Sequence, residues 1–402
     1  MEPTAESAPA RTGGPLLDGI ERLVRRPESL LAALVLAYIW VFGNLTWSQQ
    51  SNFGTFGFDM GIYDQGIWLV SRFRLNPFDT IRGLPYFAHH VNIITLLFVP
   101  AYWLGAGPHF LYLVETICMA SGAIPLWLLA RQRLGDGWLA LCPAAAYLLY
   151  PSLEWINWWH FHPDALIITP LIWAYWLADR QRWRAFAVAV AVALLCKEDA
   201  ALAVFMLGLV MAWRQRRPWL LATSAVGAAW FFLCTKLIIP VANGGGAVFY
   251  ENLFPGFGHS LFGIVETILR HPTRLTRVAF KRDQVTYYRQ LFLPVGLLAL
   301  LSLPVLLIAG PQLLVNIISG HPYTHDIKYH YSSIVTAGIF LATVESLGRG
   351  PSAAWRRFLC GAVLASALAA NVAWSPSPLS VKYHTGIWAT PVASDAAKNA
   401  AV

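Results

Sequence analysis

Two carboxylates, Asp59 and Asp64, stand among aromatic and glycine residues in the stretch "FGFDMGIYDQGIW". Phe58, Met60, Ile62 and Tyr63 flank the first of them. Desolvation by such neighbours raises a carboxyl pKa and makes the group a usable general base near neutrality. Phe58, Ile62 and Trp68 fit a short helix lying on a membrane, and the plainer reading of both acids is that they cap or solubilise it. In "YFAHHVN", His89 and His90 either donate to an anionic group or sit at lipid headgroup level.

Three further clusters carry chemistry. "WWHFHPDA" sets His160, His162 and Asp164 at alternate positions, and Pro163 favours extended backbone before it. Extended geometry throws alternate side chains to one side, so the three are expected to converge. Their spacing matches no established zinc pattern, so no metal is assigned, and a divalent ion is not excluded. "CKED" places Lys197, Glu198 and Asp199 consecutively inside an apolar run. Either this is a solvated turn, or the ammonium of Lys197 reaches into a cavity for phosphate. "HPYTHDIKYHY" clusters His325, Lys328 and His330, which suit a sugar or phosphate pocket as well as an ordinary polar loop.

The elements that position these groups follow from composition. Apolar residues make up 57% of the 402 positions and charged ones 12%, against about one quarter charged in soluble domains. The chain therefore reads as an all-α integral membrane protein. Its net charge of +8 sits largely in short basic knots between apolar runs, such as "RLVRR", "RQRWR" and "RQRR". These are membrane topology signals, and no nucleic-acid partner is expected. The five cysteines lie in apolar stretches without metal spacing or a disulfide pattern. Residues 1–28 are polar and carry Asp18 and Glu21, so no cleaved signal peptide is expected there.

Placing every basic knot on the cytoplasmic side fixes the crossings. Spans are expected at 29–47, 109–130, 137–152, 164–179, 219–240, 331–347 and 357–374, with a broken pair within 290–319. Residues 185–213 begin and end at basic knots, so they must fold back at Lys197–Asp199 as a hairpin. About eleven transmembrane or re-entrant helices result, with interfacial helices in the first external loop. The expected organisation is a cytoplasmic tail (1–28), a membrane domain (29–375) with large external loops at 48–108 and 241–289, and an external tail (376–402). The basic residues Arg274, Arg277 and Lys281 recur opposite Leu275, Val278 and Ala279, as in an interfacial helix. All the acid, imidazole and "CKED" clusters then fall on the outer face. The protein is expected in the plasma membrane as a multi-pass chain with its N-terminus inside.

An outer acid after the first span, an interfacial helix and a hairpin with Lys at its tip together resemble the GT-C glycosyltransferases. The strings "DMGIYDQGIW", "HFHPDA", "KEDAAL" and "YHYSS", in this order, more closely resemble a family of bacterial and archaeal membrane proteins named only as a domain of unknown function. That resemblance covers about residues 50–375. In protein O-mannosyltransferases and lipid A aminoarabinose transferases an acid is followed four positions later by Tyr, which is similar to Asp59 and Tyr63 here. Their "TKGP" hairpin looks like "CKED", so Lys197 carries over while Glu198 and Asp199 depart. Relatives commonly continue into an external domain, so the stop soon after "WSPSPLSVKYH" reads as a truncated tail.

The resemblance implies a cell-envelope enzyme moving a sugar from a polyprenyl phosphate to a glycan, lipid or protein acceptor, with Asp59 as general base. Tyr63, Asp64, His89, His90, His160, His162, Asp164, Lys197, Glu198, Asp199, His325, Lys328 and His330 would line the substrate site. No cofactor is implied; the partners are the lipid-linked donor and membrane lipid. Three alternatives stand beside it: a transporter or lipid flippase, a non-catalytic binder of lipid-linked sugar, and, more remotely, a metal-dependent hydrolase.

Overall fold

The computed structural model describes residues 26–245 and 253–388. Most of the expected tail 1–28, residues 246–252 of the second large loop and the tail beyond 388 lie outside the described residues.

Helix α1 (Pro27–Ser51) opens on a proline and carries Glu28 in its first turn, both suited to a helix N-terminus. Helix α2 (Gly57–Ser71) follows after five residues and begins the first large loop. A two-residue antiparallel ladder then pairs Phe78–Asp79 with Leu84–Pro85. Asp79 closes its turn by accepting from the Ile81 N–H at 2.8 Å, an Asx-type arrangement that the sequence reading did not foresee. The loop ends in a continuous 3₁₀ and α-helical segment, Ile93–Trp103.

Helices α3 (Pro108–Ser121) and α4 (Ala123–Leu134) form one long span. The expected span at 137–152 is instead two short helices, α5 (Leu141–Leu148) and α6 (Pro151–Trp158). Tyr150 is extended, as a residue before proline tends to be, and this parts them. Helices α7 (Ile168–Asp179), α8 (Trp183–Cys196) and α9 (Ala200–Gln215) come next. The chain does fold back at Lys197–Asp199, where Lys197 is extended between α8 and α9.

Helix α10 (Leu221–Leu233) packs closely on α9. A Cβ on Gly208 would stand 2.5 Å from the Ser224 backbone nitrogen, and one on Gly227 would stand 2.7 Å from the Ala201 carbonyl oxygen. Glycine at both positions lets the two helices approach, as small residues do between membrane helices. The second large loop carries α11 (Leu261–Arg270), α12 (Pro272–Ala279) and α13 (Arg282–Phe292). Short turns broken by Pro294 and Pro304 lead to α14 (Gly310–Ile318). Helices α15 (Ser333–Gly348) and α16 (Ala353–Trp374) complete the bundle.

Among the described residues six helices are long and apolar enough to cross a membrane, and four shorter apolar ones accompany them. The chain is an all-α, multi-pass membrane protein. Helix α15 is its axis: Ser333 to Leu347 are all buried. A helix apolar on every side must be surrounded, and here protein surrounds it. At one end of the bundle Arg133 bridges Asp179 at 2.6 Å and Glu345 at 2.8 Å, while Arg214 reaches Glu345 at 3.0 Å. This ties α4, α7, α9 and α15 together. After α16 the chain turns back onto the bundle, where Trp158 donates to the Ile387 carbonyl at 2.7 Å.

Candidate functional site

The opposite end of the bundle gathers the chemistry-bearing side chains. Asp59 lies in the first turn of α2 and is half-buried, which leaves one face open. Its Oδ2 stands 3.9 Å from His162 Nε2. The His162 Nδ1 lies 3.1 Å from the His160 carbonyl oxygen. Donation there leaves Nε2 as an acceptor. Two acceptors 3.9 Å apart cannot bond each other, but a water, with two protons to donate, fits between them. Tyr63, one turn after Asp59, presents its ring to His162 at 5.4 Å, and His330 stacks on the other side of His162 at 3.7 Å.

Beside this pair lies a buried charge cluster. Lys197 donates to Asp164 Oδ1 at 2.6 Å and lies 3.4 Å from Asp199. Its ammonium faces the Tyr331 ring at 5.9 Å. Burial works against the ammonium, but Asp164, Asp199 and Glu198 outweigh it and hold Lys197 well above its ordinary pKa. Burial likewise works against the Asp164 carboxylate, and Lys197 with His162 outweighs it, so Asp164 is held below its usual range. Burial dominates at the other two acids: Glu198 is pushed up to about 6 and Asp199 to about 7. The cluster is thus built on one firmly charged pair, Lys197 and Asp164, beside two carboxyls, Glu198 and Asp199, that are pushed toward neutral pH.

Glu198 is also a clasp. It accepts from His90 Nδ1 at 2.8 Å and from the Val91 N–H at 2.9 Å, fastening the first large loop to the α8–α9 turn. His89 accepts from Arg82 at 2.8 Å. Burial pulls both imidazoles below their ordinary pKa, and so do the neighbouring cations. His162 is likewise lowered by burial, against the pull of Asp59 and Asp164.

Other expected site residues serve elsewhere. Asp64 accepts from the Tyr102 hydroxyl at 2.7 Å, which anchors α2 to the 93–103 segment. His160 does not converge with His162 and Asp164. Its φ of 102° breaks the extended backbone that the alternation assumed. Its Nε2 accepts from the Phe56 N–H at 3.2 Å and its Nδ1 meets the Tyr112 hydroxyl at 2.9 Å. It therefore fixes the entry to α2 and so the height of Asp59. His325 approaches the Asn316 carbonyl at 3.3 Å, and exposed Lys328 lies over the Trp155 ring at 5.3 Å. Neither joins the cluster.

Several participants carried no sequence signal. Arg82 comes from the ladder turn and Gln312 from α14, where it lines a small cavity with Asp164, Lys197 and Asp199. Buried Glu115 accepts from the His162 N–H at 3.4 Å from within a long apolar helix. No group of three or more His, Cys, Asp or Glu among the described residues is arranged to hold a metal ion.

No curated protein and no solved structure matches the chain. Residues 49–393, which span every side chain of the cluster, match the family described as predicted membrane protein (DUF2079), and the chain belongs to that family.

Proposed function

We propose that the protein is an inverting glycosyltransferase acting at the outer membrane face on a polyprenyl-phosphate sugar. The observation that carries this reading is the meeting of half-buried Asp59 with the acceptor nitrogen of His162 at 3.9 Å, beside the buried Lys197–Asp164 ion pair. An acceptor hydroxyl that donates to Asp59 can lose its proton to it as its oxygen attacks the anomeric carbon. The new C–O bond forms as the bond to phosphate breaks, and the bonding pair leaves on the phosphate oxygen. Arg82, beside His89, is the nearby cation suited to that developing charge. Lys197 is already matched by Asp164 and Asp199, so its part is to keep the pocket ionised and rigid rather than to clamp phosphate.

The test is purified protein in proteoliposomes with polyprenyl-phosphate sugars and a panel of hydroxyl acceptors. Transfer with inverted anomeric configuration, read by NMR, is expected. A second reading, lipid translocation, is favoured by the proline-broken segment 293–310. Donor movement across the vesicle wall with no product would establish that reading instead.

A further inference from the structure

A groove of about 190 Å³ opens between α10 and its extension to Ala242, the start of α11, and α14. Leu202, Phe231, Phe232, Phe254 and Phe262 give it an apolar lining. Phe232 and Phe262 are themselves exposed, so the groove opens sideways, where α10 belongs to a membrane span. Its polar members are Asp199, Thr235, Lys236, His259, Ser260 and Gln312. Lys236 is exposed and makes no salt bridge with another described residue.

The inner end of the groove meets the site. Asp199 and Gln312 line both this groove and the small cavity that holds Asp164, Lys197 and His330. A ligand lying here would keep its chain among phenylalanines within reach of the site. An apolar cleft with a few convergent polar groups is the general form of a ligand site. A cation at the rim of an otherwise apolar channel selects an amphiphile with an anionic head, and a solvent-exposed ammonium suits phosphate.

We infer that this groove seats the isoprenoid chain of a lipid phosphate, with Lys236 as the residue that recognises the phosphate. The identity of the chain rests on the sugar-transfer reading above; the anionic-amphiphile site does not.

The experiment uses the full chain in zwitterionic nanodiscs, with farnesyl phosphate and farnesol as probes and native mass spectrometry as readout. Farnesyl phosphate should bind at least tenfold more tightly than farnesol. Lys236→Gln should remove that preference while farnesol binding stays unchanged, and Lys236→Arg should restore it. Leu202→Trp, which fills the groove, should weaken both probes. Asp59→Asn should bind both as the wild type does, so retained binding without turnover separates this site from the catalytic assignment. Equal binding of the two probes by wild type and Lys236→Gln would overturn the proposal. Displacement of farnesyl phosphate by an equal amount of phosphatidylglycerol would overturn its assignment to an isoprenoid.

Discussion

Lys197 and Asp164 form a 2.6 Å ion pair with both side chains more than nine-tenths buried. Breaking a buried pair leaves one charge uncompensated, at a cost of about 3–5 kcal/mol. Lys197→Met should therefore lower Tm sharply, and Asp164→Leu should do the same. The double variant should recover much of the loss, because two apolar side chains of similar bulk leave no stranded charge. A double-mutant cycle on thermal unfolding in detergent measures this coupling, and additive losses would refute it.

The Arg133–Glu345–Arg214 network at the other end of the bundle makes a similar prediction without touching the site. Glu345 accepts from both arginines and from Tyr175 at 2.7 Å. Glu345→Ala leaves Arg214 without its carboxylate partner and Arg133 with Asp179 alone, and should cost up to about 3–5 kcal/mol of stability. Properly folded variant protein should keep its activity per molecule. A selective loss of turnover with unchanged Tm would contradict a purely structural role.

Asp199 gives a pH-dependent signature. Burial raises its carboxyl from 3.8 to about 7, so the folded chain holds a proton that the unfolded chain releases at lower pH. The stability carried by that proton is fully present below the unfolded pKa and is lost as pH rises through about 7. Asp199→Asn mimics the protonated form throughout. Its Tm relative to wild type should therefore climb between pH 5 and pH 8. A constant difference across that range would contradict the assignment. The lowered histidines act in the opposite sense at acidic pH, which is why the variant-minus-wild-type difference is the proper readout.

The Glu198 clasp is a matter of local opening. Glu198→Ala removes the acceptor of the Val91 N–H and of His90, so amide exchange across Val91 and Asn92 should accelerate while α15 keeps its protection. Unchanged exchange there would mean that the loop is held by other contacts.

The hairpin was legible because three consecutive charges interrupt an apolar run bounded by basic knots, which leaves the chain no option but to turn. Asp59, Tyr63 and the alternate pair His162 and Asp164 were legible because each sits within a few residues of its signal. The partners were not. Lys197 meets Asp164 across 33 residues and His90 meets Glu198 across 108. Only the packed bundle brings such groups together. His160 misled because alternation implies convergence only for extended backbone, and one left-handed residue cancels it. Asp64 misled because local aromatic company looks the same whether an acid faces a pocket or a tyrosine hydroxyl. Glu115 was hidden by its surroundings, since an acid in an apolar helix gives no hint of which buried N–H it satisfies.

Single-turnover transfer from a polyprenyl-phosphate sugar, comparing wild type with Asp59→Asn of equal Tm, probes the acid–base assignment most directly. Loss of the base should slow the step by about 10²–10⁴-fold while donor binding is preserved. An Asp59→Asn rate equal to that of the wild type would contradict the account.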